Sequence, residues 1–216
     1  MKQSEIVPVI NPENLHIVEF LERTVVAANN LWHFSALIVP FQENTDNILL
    51  QVRPTGKTYA GKLDIFGGYV RKNALGERLH ANFDNDTLTE LFLETAVREA
   101  NEELQITQWG QRLHFPADAF IRIGNVGQFV SDNDILREVS SVYFLPIPTN
   151  AIVKTFDDIQ GEPLELRSSF WNFADMLALF QNAPHRFSDG IARILRLYQS
   201  DQSIKDLIQT IIARPS

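Results

Sequence analysis

The chain has 216 residues, enough for one large domain or two small ones, and 44% of them are apolar, enough for a substantial core. It carries 27 acidic and 19 basic residues, so its formal net charge is −8 and it offers no basic field for a nucleic acid. The absence of cysteine excludes disulfides, zinc sites with thiolate ligands and cysteine nucleophiles. Any catalyst must therefore use carboxylates, histidines, hydroxyls or a bound hard metal ion.

Neither a targeting segment nor a membrane span is recognisable. The first ten residues, MKQSEIVPVI, contain Glu5 and Pro8 and lack the apolar run of a signal peptide. The longest uncharged stretch, residues 24–42, is interrupted by polar residues that a bilayer would not accommodate. We therefore expect a cytoplasmic protein without a membrane partner.

Residues 1–30 are predicted to form a helical extension of the domain that follows. Asn11, Pro12 and Glu13 are typical of a helix start, because proline suits the first helical position. A rough apolar face, reaching to about Arg23, is then supplied by Leu15, Val18, Phe20 and Leu21.

Two strands are predicted next, over residues 34–41 and 47–53. Both are rich in Ile, Val and Leu, and a polar turn separates them, so they are expected to form a hairpin. Glycines at positions 56, 61, 67 and 68 then indicate turns or close backbone approaches.

A long helix is predicted from Asp86. Thr87 and Glu90 have the spacing of a capping box, and neither glycine nor proline follows before Gly110. At 100° per residue, the arc expected to face the core holds Leu93, Ala96, Val97, Ala100 and Leu104.

The remainder of the chain is predicted to complete one layered domain. Strands are expected over residues 120–123, 139–147 and 164–171, and helices over 174–181, 188–198 and 203–213. Residues 31–216 contain no repeat, low-complexity tract or Gly/Ser linker that would mark a boundary. The order of strands and helices indicates an α/β or α+β layered domain.

Three carboxylates are predicted to project from one patch of the long helix. Glu99, Glu102 and Glu103 are spaced i, i+3 and i+4, and like charges this close repel one another. The patch is either an ordinary solvated face beside Arg98 or a site for a divalent cation. Oxygen ligands of this kind suit Mg²⁺ or Mn²⁺.

The sequence around these carboxylates resembles a known signature. Glu90 is followed after seven residues by REANEELQI, which begins at Arg98, and Gly67 and Gly68 lie upstream. This pattern resembles the Nudix hydrolase signature, G-x5-E-x7-R-E-U-x-E-E-x-G-U, in which U is aliphatic. The resemblance implies a single domain with a Nudix-type α/β/α sandwich and a mixed β-sheet.

The chain departs from that signature in two places. Residues 69–89 separate the glycine pair from Glu90, which implies an insertion at about 71–85 and leaves Glu77 as a rival for the first glutamate. Gln105 stands where the family has a glycine in left-handed conformation, at a predicted cost of about 1 kcal/mol. The insertion is expected to be either a surface loop or a lid over the substrate, with contacts from Arg71, Lys72, Arg78 or His80.

Several segments are similar to the isopentenyl-diphosphate isomerase-like branch of this superfamily, namely residues 31–33, 49–53, 57, 61–64 and 67–68, and more weakly 171–188. The isomerase needs a cysteine before the glycine pair and several histidine ligands. Phe66 stands at the cysteine position, Gly68 stands at one histidine position, and His33 alone matches a ligand histidine. Isomerisation would therefore lack its proton donor, which leaves hydrolysis as the implied reaction.

The resemblance implies a role for each matching residue. Glu99, Glu102 and Glu103 are the expected metal ligands, joined by the main-chain carbonyl of Gly67, and Arg98 is expected to pair with a carboxylate. Glu90 joins the catalytic set as the first glutamate of the signature.

Other contributors to the site remain open at this point. Three cations before the glycine pair are expected either to bind the substrate phosphates or to be solvated loop residues, namely Arg53, Lys57 and Lys62. Many Nudix enzymes recruit a further general base from a later loop. The candidates for it in this chain are Asp132, Asp134, Glu138, Glu162 and Glu165. The candidates for an aromatic ring that stacks on a nucleobase of the substrate are Phe66, Tyr69, Phe129, Tyr143 and Trp171.

The expected function is therefore metal-dependent hydrolysis of a diphosphate linkage in a nucleoside diphosphate derivative or a related organic diphosphate. The substrate is a small molecule, and the oligomeric state is left open between monomer and homodimer. One alternative is a catalytically silent Nudix module that binds a nucleotide metabolite and regulates a partner. Another is an acidic α/β domain that mediates association and binds no metal.

Overall fold

A computed structural model of the chain describes residues 5–75, 85–124, 129–159 and 162–213. Its helices are α1 (Arg23–Ala28), α2 (Lys72–Leu75), α3 (Asn85–Glu103), α4 (Phe173–Asn182), α5 (Asp189–Ser200) and α6 (Gln202–Ile212). Its strands are β1 (Ile6–Ile10), β2 (Ile17–Glu22), β3 (His33–Gln42), β4 (Asn47–Val52), β5 (Leu63–Asp64), β6 (Phe66–Tyr69), β7 (Leu104–Gln108), β8 (Gln111–Arg112), β9 (Ile121–Ile123), β10 (Phe129–Asp132), β11 (Arg137–Ile147), β12 (Ile152–Ile159), β13 (Glu162–Glu165) and β14 (Ser168–Asn172). Among the described helices, none combines the length and apolar character needed to cross a membrane.

The strands form a ten-stranded mixed sheet and a smaller four-stranded sheet. In the larger sheet, β3 and β11 run parallel from the pair His33 and Glu138 to the pair Gln42 and Ile147. The neighbours β4, β6, β9 and β10 pair antiparallel with these two strands. The smaller sheet has the order β13-β12-β7-β8.

Side chains that alternate along β3 divide the core into two layers. Phe34, Ala36 and Ile38 pack in the cluster that contains the buried face of α3. Val39 and Phe41 point to the other side and pack with α4, α5 and α6. Helices therefore cover both faces of a mixed sheet, and the predicted single-domain α/β/α sandwich is confirmed.

The helix predicted from Pro12 to about Arg23 is wrong, because residues 12–22 form strand β2 and the turn that joins it to β1. Asn11 accepts a hydrogen bond from the Glu13 N–H within that turn, rather than opening a helix. Val9 pairs with His33, so β1 extends the larger sheet, and this sheet pairing outweighs the weak helical pattern. Only α1, immediately after the hairpin, is helical in this region.

The long helix is confirmed as α3, with three corrections. Thr87 lies inside the helix and is not its cap. Leu93 and Val97 are only half-buried, whereas the buried face includes Leu88, Leu91, Phe92, Thr95, Ala96, Glu99 and Ala100. Gln105 lies in strand β7 and has no positive φ, so the predicted strain at that residue is wrong: the chain passes from helix directly into strand.

Later elements also agree with the sequence prediction, with one exception. The strands β9 and β11 and the helices α4, α5 and α6 are confirmed. The single strand predicted over 164–171 is two strands, because β13 pairs with β12 in the smaller sheet and β14 pairs with β4 in the larger one. Within the insertion, residues 72–75 form the short helix α2, while Glu77, Arg78 and His80 lie outside the described residues.

Candidate functional site

The glycine pair lies where β6 passes between β3 and α3. Gly68 pairs with Ala36, and Gly67 pairs with Leu37. Gly67 has φ +141°, and a Cβ there would lie 2.1 Å from the carbonyl oxygen of Ala36. A Cβ on Gly68 would lie 2.1 Å from Glu99 Oε1. Gly67 therefore requires glycine, because the overlap there is with backbone atoms of β3, whereas a side chain at Gly68 would have to displace the Glu99 carboxylate that packs on β6.

Glu99 is a buried carboxylate, with 5% of the residue exposed. Arg98 Nη2 lies 2.6 Å from Glu99 Oε1 but lacks the alignment of a hydrogen bond, and within the described residues this oxygen accepts none. Burial raises the pKa of Glu99, and the guanidinium of Arg98 opposes that shift. A buried carboxylate oxygen without a hydrogen bond is suited to receive a cation.

Glu102 and Glu103 lie on the same side of α3 as Glu99. The Glu102 side chain is 49% exposed and pairs with Arg98 Nη1 at 3.2 Å and Arg71 Nη2 at 3.1 Å. Glu103 is half-buried and accepts a long hydrogen bond, 3.5 Å, from the Gly67 N–H. The structure thus brings the three glutamates, Arg98 and Gly67 to one place, as the sequence predicts.

The arginines offset the charge of this carboxylate patch. Arg98 also donates to the carbonyl oxygen of Tyr69 at 3.0 Å, which ties α3 to β6. Across residues 5–75, 85–124, 129–159 and 162–213, no three His, Cys, Asp or Glu side chains are arranged to hold a metal ion as they stand. A divalent cation would therefore have to replace arginine contacts at Glu99 and Glu102. The chemistry of the donors, three carboxylates and a main-chain carbonyl, fits Mg²⁺ or Mn²⁺, and the metal site remains a prediction.

We expect Gly68→Ala to displace the Glu99 carboxylate. The new methyl group would overlap Oε1 and Cδ of Glu99, so we expect a loss of about 1–3 kcal/mol in the free energy of unfolding, as for other overpacked sites. Misplacing a catalytic group by about 1 Å lowers activity by about 10²-fold. Denaturant unfolding and steady-state kinetics would measure the two effects.

The matched control is Gly190→Ala. Its Cβ would lie 3.4 Å or more from its neighbours, which is ordinary contact, and the residue is in helix α5. Its free energy of unfolding should not fall. A Gly68→Ala variant as stable and active as the wild type would contradict the packing of Glu99 on this strand.

A cavity of about 320 Å³ opens beside the glycine pair. Its walls come from α1, from β3, β5 and β6, from the loop between β4 and β5, and from the starts of β11 and α5. Of the predicted phosphate-binding cations, Arg53 and Lys57 line it, whereas the described lining does not include Lys62, whose Nζ lies 5.1 Å above the ring of Tyr59. The cavity is thus a candidate for the substrate compartment.

Glu90 lies elsewhere on α3. It is exposed and lines a separate groove with Leu93, Glu94, Val97 and Arg98. Glu90 and Arg98 are eight positions apart on the helix, which corresponds to about 12 Å along the axis. The structure therefore does not bring Glu90 to the patch of three glutamates, and its catalytic role remains a prediction from the signature alone.

Glu138 lines the cavity and is the centre of a buried polar cluster. Ser35 Oγ donates to Glu138 Oε2 at 2.7 Å, Arg193 Nη2 bonds Oε1, and His33 Nε2 lies 3.7 Å from Oε2. Burial raises the pKa of Glu138, but Arg193 and His33 oppose it and hold the pKa well below its ordinary value. Glu138 is therefore ionised and a weak base, which favours a positioning role over proton abstraction.

Sequence reasoning did not single out Glu138 among the five candidate bases. Asp132, Asp134 and Glu165 do not line the described cavity, and the side chain of Glu162 lies outside the part of the chain that the structure describes. Asp64, which the sequence analysis did not weigh as a base, does line it. Burial raises the pKa of Asp64, while Arg53, 3.4 Å away, and Ser188 oppose that shift.

Comparison with solved structures identifies the fold of the chain. No family model matches the chain, and no curated protein matches it. A NUDIX hydrolase from Alicyclobacillus acidocaldarius superposes with a TM-score of 0.52 at 15% identity, over 85% of this chain and 98% of that one. The chain has the Nudix hydrolase fold.

A second solved structure, the DR0079 protein from Deinococcus radiodurans, is similar to the same extent. It superposes with a TM-score of 0.54 at 17% identity and covers 89% of this chain and 98% of its own. In the Nudix fold of this chain, the helix that carries the three glutamates is α3, and the glycine pair lies on the preceding strand of the sheet. These likenesses do not distinguish the isopentenyl-diphosphate isomerase-like branch from others.

Proposed function

We propose that the protein is a metal-dependent pyrophosphohydrolase that cleaves a diphosphate linkage in a nucleoside diphosphate derivative or a related organic diphosphate. The observation that carries this proposal is the buried Glu99 carboxylate, packed on Gly68 beside Glu102 and Glu103 at the side of a cavity whose lining includes Arg53 and Lys57. The segments similar to the isopentenyl-diphosphate isomerase-like branch support a place near that branch. The lack of cysteine favours hydrolysis over isomerisation.

The proposed roles combine the resemblance to the Nudix signature with the positions of the side chains. Glu99, Glu102, Glu103 and the Gly67 carbonyl would hold Mg²⁺ or Mn²⁺. The bound ion would offset the charge of the diphosphate and lower the pKa of a water molecule. Arg98, held between Glu99, Glu102 and the Tyr69 carbonyl, would orient the carboxylates. Arg53 and Lys57 would bind phosphate oxygens within the cavity.

A substrate screen tests the activity directly. Nucleoside diphosphate sugars, dinucleotides, nucleoside triphosphates and coenzyme A would be incubated with the protein and MgCl₂, and the products would be separated by chromatography. Hydrolysis of at least one class, lost on addition of EDTA, is the expected result. Binding of a nucleotide without any turnover would instead support the catalytically silent module.

We expect magnesium or manganese to stabilise the wild-type protein against heat. A ligand that binds only the folded state at 100 times its Kd adds about 2.7 kcal/mol, which is about 5–10 °C in Tm for a chain of this size. The Glu103→Gln variant should lose most of that shift, as measured by differential scanning fluorimetry. Equal shifts in the two proteins would place the metal elsewhere, and no shift in either would favour the association domain.

A further inference from the structure

Arg71 joins the carboxylate patch on α3 to the residue that precedes β1. It lies between β6 and α2, at the start of the insertion, so it does not belong to the Nudix signature. Its Nε donates to Glu5 Oε1, and its two Nη atoms donate to the two oxygens of Glu102 at 3.3 and 3.1 Å. A paired contact of this kind fixes the orientation of a guanidinium and engages both oxygens of the carboxylate.

The Arg71 guanidinium competes with a divalent cation for the same carboxylates. Its Nη2 also lies 4.0 Å from Glu99 Oε1, so its positive charge sits among the predicted metal ligands. A cation held by Glu99 and Glu102 would meet this like charge, and the two would repel each other. Arg98 differs, because it is part of α3 itself and donates to the main-chain carbonyl of Tyr69. Arg71 is therefore the arginine that metal binding would displace from the patch.

Glu5 can keep Arg71 paired when the arginine leaves Glu102. The Glu5 carboxylate is partly buried and pairs with both Arg23 and Arg71. Burial raises the pKa of Glu5, but the two arginines oppose that shift and hold the pKa below its ordinary value, so Glu5 is ionised at neutral pH. Arg71 can therefore give up its contact with Glu102 without becoming a partly buried charge that lacks a carboxylate partner.

We propose that Arg71 is an internal counter-ion of the metal site: it neutralises Glu102 and Glu99 in the metal-free protein and withdraws to Glu5 when a divalent cation binds. The inference rests on the proposed function, since it concerns the regulation of the same site. Because the metal-free arrangement must first be undone, the site fills at a higher metal concentration than the carboxylates alone would require. Glu5 acts as a positioning residue, because it receives Arg71 and so lowers the cost of the exchange.

A manganese titration without substrate tests this inference independently of catalysis. Mn²⁺ would be added at fixed ionic strength to the wild type and to each variant, and free Mn²⁺ would be followed by electron paramagnetic resonance. Arg71→Gln should bind Mn²⁺ about tenfold more tightly, because the competing charge is gone. Glu5→Gln should bind it about threefold more weakly, because Arg71 then leaves Glu102 without a carboxylate at residue 5 to receive it.

The matched control is Lys72→Gln, which removes the same charge from the next residue. Lys72 Nζ lies 5.0 Å above the ring of Phe20, and this variant should bind Mn²⁺ as the wild type does. Thermal midpoints in EDTA would establish that each variant is folded. If Arg71→Gln does not fold, Arg71→Lys, which loses the paired contact, should still gain affinity.

Three outcomes would overturn the inference. The first is an affinity in Arg71→Gln that is no higher than in the wild type, including no binding by either protein. The second is an equal gain in Lys72→Gln, which would show an effect of net charge alone. The third is unchanged or tighter binding in Glu5→Gln, which would refute the withdrawal of Arg71 to Glu5.

Kinetics separate this inference from the proposed function. Whatever its kcat, Arg71→Gln should reach half of its maximal rate at about tenfold lower MgCl₂ concentration than the wild type. Hydrolysis with the same magnesium dependence in both proteins would support the proposed function and count against the role of Arg71. A wild type that hydrolyses no diphosphate would refute the proposed function, and the manganese titration would still decide on Arg71.

Discussion

Replacing Glu102 by glutamine is expected to lower kcat/KM by about 10²–10³-fold, the loss seen when one group that stabilises transition-state charge is removed. Glu102 lies on the exposed side of the carboxylate patch, with its side chain 49% exposed, and is not among the buried residues of α3. Its amide would still fill the same volume but would bind a divalent cation far less well. Steady-state kinetics on the best substrate from the screen would measure the loss.

The same variant should remain folded. Glu102 makes ion pairs with Arg71 and Arg98, and exposed pairs contribute about 0–1 kcal/mol. The thermal midpoint should therefore fall by less than about 4 °C. Glu94→Gln is the matched control, since it removes a carboxylate from the groove on α3 that does not reach the glycine pair. Full activity in Glu102→Gln would remove the carboxylate patch from the proposed mechanism.

Replacing Glu138 by glutamine should cost about 3 kcal/mol of folding free energy, because it leaves a buried guanidinium without its main partner. Arg193 is 7% exposed, and within the described residues its Nη1 makes no hydrogen bond, so it depends on Glu138 and on Asp189 at 3.1 Å. Denaturant unfolding at neutral pH would measure the cost. The double variant Glu138→Gln/Arg193→Met, which removes both charges, should recover part of it.

The effect of Glu138→Gln should depend on pH in a defined direction. The pKa of Glu138 lies below its ordinary value of 4.5 in the folded protein, so its contribution is complete above pH 4.5 and is lost as the pH falls through the lower folded-state pKa. The unfolding free energies of wild type and variant should therefore converge in acid. The control is Asp132→Asn, which breaks an exposed ion pair with Arg137 and should change the free energy of unfolding by only about 0–1 kcal/mol. An equally small change in Glu138→Gln would contradict the buried cluster.

Sequence alone could predict which residues lie close together when they are spaced at helical intervals on one element. Glu99, Glu102, Glu103 and Arg98 share one helix, so their spacing fixes their proximity once α3 is recognised. Gly67 was predicted from the resemblance to the Nudix signature, and in the structure a Cβ there would overlap the Ala36 carbonyl of β3. The order of strands and helices predicted a layered α/β or α+β domain, and the resemblance to the Nudix signature implied the α/β/α sandwich.

The residues that sequence could not place depend on contacts between distant segments. Arg23 reaches the cavity only because β1 pairs with β3, and that pairing also replaced the predicted helix. Spacing along the chain did not distinguish Glu138 from the other four candidate bases. In the structure Glu138 pairs with His33 across β3 and β11, and this pairing brings it to the cavity. Lys57 and Lys62 are near neighbours in one loop, and the conformation of that loop places Lys57 at the cavity and Lys62 over the ring of Tyr59.

The parallel pairing at the centre of the larger sheet also sets an order of folding. Ser35 and Ser140 lie opposite each other on β3 and β11 although 105 positions separate them, whereas β1–β2 and β3–β4 are joined by short turns. Closing so long a loop costs more entropy and time than forming hairpins. We therefore expect both hairpins to form before β11 docks. Because the cavity takes walls from β3 and from the start of β11, a refolding chain should regain most of its circular dichroism before it regains any affinity for its ligand.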